Sequence, residues 1–126
     1  MAEGDIDFAV ITSPNNPTGK MANETFLKKL LDSSDALIMV DEAYFEFSRF
    51  SMRPYLDQYE NLVILRTFSK AFSLAGVRMG YLLANTSVIR EFLKVRQPYS
   101  VDSVSQAIAT AVYRNRSLFV PGINQI

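Results

Sequence analysis

The sequence predicts an α/β fold: a partial three-layer arrangement in which a mostly parallel sheet carries helices on both faces. Three observations lead there. Short, continuous apolar runs recur along the chain, as they do in strands buried on both faces. Segments with helical spacing and capping residues separate these runs. Polar clusters follow the runs directly, at the carboxyl ends of the strands, where open parallel sheets place their ligands.

Phe8-Ala9-Val10-Ile11-Thr12 is the first apolar run and reads as a short buried strand. The next residues, 13–19, hold two prolines and two asparagines, a loop composition. A helix is expected from about Asn23 to Leu31. Asn23 is placed to cap it, and Phe26, Leu27, Leu30 and Leu31 form its apolar stripe. Residues 36–40 form the second strand, which ends at Asp41-Glu42. Residues 62–65 form the third, and residues 80–84 a shorter fourth. Thr86 or Ser87 is expected to cap a helix carrying Val88, Ile89, Phe92, Leu93 and Val95. A last helix runs from about Asp102 to Asn115, with Val104, Ala107, Ile108, Ala111 and Val112 as its packing face. Residues 119–126, with Pro121-Gly122, read as an irregular end. Tyr59, Tyr81 and Tyr113 are expected in the core, and Glu46, Arg49 and Arg53 on the solvated surface.

The chain has 126 residues, the size of one domain, and 48% of them are hydrophobic, enough for a core. Its 13 basic and 13 acidic residues cancel, so no general attraction to nucleic acid or anionic membrane is expected. No apolar run approaches the roughly 20 residues of a membrane span. Met1-Ala2-Glu3-Gly4-Asp5 is polar and acidic, unlike a signal peptide, and a cytoplasmic location is expected. The chain has no cysteine and no histidine. That removes disulfides, Cys/His zinc sites, thiol nucleophiles and Ser-His-Asp triads. Chemistry here must rest on Lys, Asp, Glu, Tyr or a cofactor.

Three polar clusters meet that requirement. Asn15 and Asn16 lie just past the first strand, Asp41 closes the second, and Thr67 to Lys70 follow the third. In a parallel sheet these segments converge on one edge. Arg78 lies eight residues after Lys70, between Gly76 and Gly80. Each residue has a plain structural reading: Asp41 as a turn cap, Lys70 as a surface lysine, Arg78 as an ion-pair partner, the glycines as turn markers. Asn16-Pro17 reads equally as an ordinary turn or as a fixed, cis peptide that aims the Asn16 amide at a ligand. Gly19-Lys20 superficially offers a nucleotide phosphate loop. However, Pro14 stands where the first glycine belongs, Met21 replaces the metal-binding hydroxyl, and Pro14 and Pro17 lack the N–H groups such a loop needs. A nucleoside-triphosphate hydrolase is excluded on those grounds.

SPNNPTG at 13–19, VDEAY at 40–44 and RTFSKAFSLAGVRMGY at 66–81 resemble the fold-type I pyridoxal-phosphate (PLP) enzymes, specifically the class I and II aminotransferases. VDEAYFEF and KVRQPYSVDSVSQAIA at 94–109 most resemble the histidinol-phosphate branch, and a PLP-dependent threonine-phosphate decarboxylase is a related match. The resemblance implies that Lys70 bonds the aldehyde of PLP and later carries the proton between substrate and cofactor. It pairs Asp41 with the ring nitrogen and places Asn16 and Tyr44 on the ring's 3-oxygen. It assigns Arg78, Ser69 and Thr67 to the phosphate. An amino donor and a 2-oxo acid would be the substrates, in a ping-pong cycle. Homodimers with shared sites are usual in that family.

The resemblance also implies that residues 1–126 form part of the PLP-binding large domain, about the middle third of such an enzyme. An upstream segment with a further phosphate loop and a ring-stacking aromatic, and a downstream small domain with substrate-binding groups, are then expected elsewhere. Alone, the chain is expected to turn over poorly. Its partial sheet is expected to expose edges and apolar faces that favour self-association.

Overall fold

The computed structural model describes residues 6–126; the polar stretch Met1–Asp5 lies outside the described residues. Four strands form one sheet in the order β1 (Phe8–Thr12), β2 (Leu37–Asp41), β3 (Leu62–Thr67) and β4 (Gly80–Ala84). β1, β2 and β3 are parallel, and β4 joins β3 antiparallel. The register aligns Thr12 with Asp41 and Asp41 with Leu65, so all three parallel strands end on one edge. β3 runs two residues beyond its apolar core because Arg66 is accommodated inside the fold rather than expelled from it.

Two crossovers connect the parallel strands. The first contains α1 (Glu24–Asp32), capped by Asn23, whose Oδ1 accepts from the Phe26 amide at 3.2 Å. The second contains α2 (Phe45–Ser48) and a 3-10 turn at Arg53–Tyr55, neither of which has a clear sequence period. Asn61 closes the base of the sheet. Its side-chain amide donates to the carbonyls of Leu31, Ser34 and Ala36 at 3.3, 2.9 and 3.2 Å. α3 (Thr86–Val95) is capped by Asn85 rather than by the expected Thr86 or Ser87, through a 3.1 Å bond from Ser87 N–H. α4 (Ser103–Arg114) begins where expected and is capped by Asp102. The tail is helical rather than irregular: a 3-10 turn at Arg116–Phe119 leads into α5 (Val120–Ile123). No helix among the described residues is long and apolar enough to cross a membrane.

Strand alternation sorts the side chains. One face packs Ile38, Val40, Leu62 and Ile64 against Leu27 and Leu31 of α1 and against Met52 and Tyr59 of the second crossover. At the far end of that side, Phe68, Phe72 and Ala109 form a smaller cluster with Tyr81, Val112 and Phe119. The other face is less covered. Val88, Phe92 and Val95 of α3 approach Leu37 there, while Phe8 and Val10 of β1 remain 46% and 54% exposed. β1 is thus an edge strand with a bare apolar side, as expected of a partial sheet. α4 departs from expectation. Val104 and Ile108 point outward, as does Tyr113, and the helix buries Ala109 instead.

A cavity of about 470 Å³ lies between α2, β3, β4 and the tail, lined by Phe45, Glu46, Arg66, Tyr81, Tyr113 and Arg114 among others. Glu46, expected on the solvated surface, is half-buried here. Desolvation pushes its carboxyl above the ordinary range, against the opposing pull of a backbone hydrogen bond and of Arg66. Desolvation also raises the Tyr81 phenol, with Arg66 again opposing.

Two expectations follow. A Cβ at Gly80 would lie 2.8 Å from the Arg66 carbonyl oxygen, whereas one at Gly76 would meet nothing within 4 Å. Gly80→Ala should therefore cost about 1–3 kcal/mol by forcing β4 off β3. Gly76→Ala should stabilise by roughly 0.4–1 kcal/mol; urea denaturation of both variants checks the pair. For Glu46, the folded-state pKa lies above the unfolded one. The unfolded chain therefore releases the proton first, and stability falls as pH rises through the ordinary glutamate value of about 4.3 and the raised value above it. Glu46→Gln removes that fall. Its melting temperature should gain on the wild type as pH rises from about 4, and parallel melts that show no such divergence refute the assignment.

Candidate active site

Each candidate side chain sits where a strand gives way to a turn. β1 ends at Thr12, and Ser13 N–H bonds the Asp41 carbonyl at 2.9 Å, which fastens the first loop to the second strand. The loop then reverses through cis peptides at Ser13-Pro14 and Asn16-Pro17; the second is the fixed cis form weighed for Asn16. Gly19 follows with φ of +67°, a left-handed turn that suits glycine. Gly19 N–H and Lys20 O both bond the Asn15 backbone, closing the loop.

At the end of β2, Asp41 accepts a 3.0 Å bond from the Ala43 amide through Oδ1, the turn cap of the plain reading. That bond occupies one carboxylate oxygen. The chain then turns into α2, and Tyr44 lies at its start. The Tyr44 hydroxyl accepts from Asn16 Nδ2 at 3.2 Å, across 28 residues of sequence. Lys70 completes this group, with its Nζ 5.2 Å from the centroid of the Tyr44 ring. Asn16, Tyr44 and Lys70 thus come together from three loops, and Asp41 stands at the strand end that supports them.

Lys70 lies on a loop held at its neck. Thr67 Oγ1 donates to the Met79 carbonyl at 3.3 Å and accepts from Ser69 N–H at 3.1 Å. Phe68 N–H bonds the same Met79 carbonyl at 3.1 Å. Phe68 and Phe72 anchor the loop in the smaller cluster, and the amine of Lys70 is left exposed between them. Arg78 is less closely joined. It adopts a left-handed conformation with φ of +55°, and its Nη1 donates to the Ala75 carbonyl at 3.0 Å. It makes no hydrogen bond or ion pair to another candidate among the described residues, and its remaining N–H groups face solvent.

The candidates occupy open surface rather than a closed chamber. A cavity of about 530 Å³ is lined by Asn16 and Tyr44, with Pro14, Pro17 and Phe47, but Lys70 and Asp41 stand outside its lining. The three or more clustered acidic, His or Cys groups that a metal ion would need are absent among the described residues.

Sequence reading passed over two residues beside this group. Glu42, 0% exposed, and Arg66, 7% exposed, form a buried ion pair with Oε2–Nη2 of 2.9 Å. A charged residue at the end of each apolar run is the signal that could have found them.

The model of the family described as aminotransferase class I and II matches residues 1–125. Histidinol-phosphate aminotransferase 1 of Carboxydothermus hydrogenoformans is 48% identical over 116 residues, 92% of this chain and 33% of that protein. The crystal structure of L-threonine-O-3-phosphate decarboxylase from Porphyromonas gingivalis aligns with a TM-score of 0.83 at 25% identity, over 94% of this chain and 38% of that one. Histidinol-phosphate aminotransferase from Sinorhizobium meliloti, solved in complex with pyridoxal 5'-phosphate, aligns with a TM-score of 0.83 at 25% identity, over 93% of this chain and 33% of that one. The chain spans about a third of the length of the curated relative it matches. With its parallel strands, their shared site edge and this match along nearly all its length, the chain belongs to the class I and II aminotransferases.

Proposed function

We propose that residues 1–126 form part of the PLP-binding large domain of an aminotransferase that acts on histidinol phosphate with 2-oxoglutarate as amino acceptor. The observation that carries the proposal is the meeting of Asn16, Tyr44 and Lys70 at the carboxyl edge of the sheet.

The donor set fits the cofactor, part by part. An exposed primary amine, Lys70, suits an aldehyde carbon. Asp41 has one carboxylate oxygen beyond its turn bond, suited to a protonated ring nitrogen. The Asn16 amide and Tyr44 hydroxyl suit an anionic ring oxygen. The free N–H groups of Arg78 and the hydroxyl of Ser69 suit a phosphate, while the Thr67 hydroxyl, committed to the Met79 carbonyl and the Ser69 amide, holds the loop beside it. When bound, PLP supplies the electron sink that lets a substrate C–H bond ionise.

The chain's own residues do the rest. Asp41 would hold the protonated ring nitrogen through the carboxylate oxygen that its turn bond leaves available. Tyr44 and Asn16 would hold the ring's oxygen through two converging polar groups. Lys70 would hold the cofactor at its aldehyde, and its freed amine would move the proton at the substrate's α-carbon. Arg78 fixes the phosphate end as a planar fork. A homodimer in the cytoplasm belongs to the same reading.

The decarboxylase reading shares these residues, since both chemistries begin from the same bound cofactor. The structural alignments do not separate the two, with the Porphyromonas decarboxylase and the Sinorhizobium aminotransferase both at 25% identity; the 48% identity to the Carboxydothermus protein supports the aminotransferase. Release of CO₂ from threonine phosphate, without amino transfer from histidinol phosphate, would reverse that preference.

Titration with PLP, borohydride fixation and peptide mass mapping test the cofactor assignment. Wild type should carry the fixed cofactor on Lys70, and Lys70→Ala should carry none there and lose the visible band of the bound aldehyde. Identical spectra for the two proteins would remove the cofactor from this chain and leave a folded, non-catalytic domain. Turnover by the 126-residue chain alone should be slight. Arg78→Ala should retain the fold and weaken PLP capture by about 10–100-fold, the scale of a lost charge-assisted pair of hydrogen bonds. Equilibrium dialysis measures that loss.

A further inference from the structure

We infer that the buried Glu42–Arg66 pair is a positioning device that sets the strand ends carrying Asp41, Tyr44 and Lys70. The inference rests on the reading of those residues as the cofactor site.

The pair ends two aliphatic columns on the covered face of the sheet. Ile38, Val40 and Glu42 alternate along β2 and its end, and Leu62, Ile64 and Arg66 alternate along β3. Glu42 N–H bonds the Leu65 carbonyl at 2.9 Å, so the two charged residues continue the parallel register side by side. By the same alternation, Asp41 and Thr67 are turned to the opposite face. Each charged residue is therefore the chain neighbour of a candidate: Glu42 of Asp41, and Arg66 of Thr67.

The bonds around the pair are directional. Glu42 Oε2 accepts from Arg66 Nε at 3.1 Å, Arg66 Nη2 at 2.9 Å and Ser51 Oγ at 2.8 Å. Glu42 Oε1 accepts from the Met52 amide at 2.7 Å. Arg66 Nη2 also donates to Ser51 Oγ at 2.7 Å. The guanidinium lies over the Phe45 ring, with Cζ 3.5 Å from its centroid, and Phe45 is the residue after Tyr44. One network thus ties the end of β2, the start of α2, the end of β3 and the Ser51–Met52 loop. Among the described residues no buried side-chain polar atom lacks a partner.

Stability alone gives weak grounds for such a pair. Apolar residues of similar volume at a buried ion pair are often neutral or stabilising. What apolar side chains do not provide is a fixed direction. They fill space while letting adjacent strand ends shift and turn, whereas a fork of N–H bonds to one carboxylate holds both. The 5.2 Å spacing of Lys70 from Tyr44 depends on the relative placement of those two ends.

The test compares wild type with E42L/R66M, which keeps the bulk and removes the bonds, and with Ser51→Ala, which removes one arm of the network. Hydrogen exchange is followed at Ala43 and Ser69, whose amides bond Asp41 and Thr67, and at Val40 and Ile64 within the sheet. In both variants exchange at Ala43 and Ser69 should rise by about tenfold, the scale of one lost hydrogen bond, with Val40 and Ile64 nearly unchanged. PLP capture on Lys70 should weaken in step. Equal changes at all four amides, unchanged exchange at Ala43 and Ser69, or unchanged PLP capture overturns the inference. Unfolding of both variants also overturns it, in favour of a purely structural pair. If wild type captures no PLP on Lys70, the cofactor reading fails, and the exchange pattern alone decides the positioning role.

Discussion

Parallel pairing of β1, β2 and β3 is the constraint on which the rest depends. Strands that run the same way must each be regained by a crossover on the far side, so their ends share an edge. The aligned ends of Thr12, Asp41 and Leu65 bring loops far apart in sequence into mutual reach, as the Asn16–Tyr44 bond does across 28 residues. No local propensity joins Asn16 to Tyr44. The sheet does so, and the hydrophobic burial of Ile38, Val40, Leu62 and Ile64 holds the sheet. The apolar interior and the polar edge are two results of one topology.

Much of this was readable from residue order. The apolar runs marked all four strands to within two residues, because their burial imposes continuous hydrophobicity. Asn23 and Asp102 announced the starts of α1 and α4, because a short polar side chain before an apolar stripe has a specific bond to make. The convergence of Asn16, Asp41 and Lys70 on one edge followed from the strand order, whereas Tyr44 came from the family motif and its contacts required the coordinates. The family motifs added roles that spacing alone leaves open.

Other features were hidden for identifiable reasons. Arg66 reads as the end of an apolar run, yet β3 continues through it to Thr67, because Glu42 and Ser51 satisfy the guanidinium. A one-dimensional reading has no access to that partner, 24 residues away. Asn85 takes the cap expected of Thr86 because its carbonyl oxygen reaches the Ser87 amide. α4 carries apolar residues on more than one side, and the sequence does not say which side meets the fold; Ala109 does, while Val104 and Ile108 do not. α2 and the tail helices are too short for a period to show.

The double clasp of Phe68 N–H and Thr67 Oγ1 on the Met79 carbonyl makes residues 68–79 a closed ring of backbone. A segment so closed opens as a unit or not at all. Its conformational entropy is lost when β4 docks on β3, before any ligand arrives. A ligand that meets Lys70 therefore finds its backbone already ordered, and less of the binding free energy is consumed in ordering it. The exposed amine keeps only the freedom of its own four-carbon stem, a short tether swung from a rigid mount.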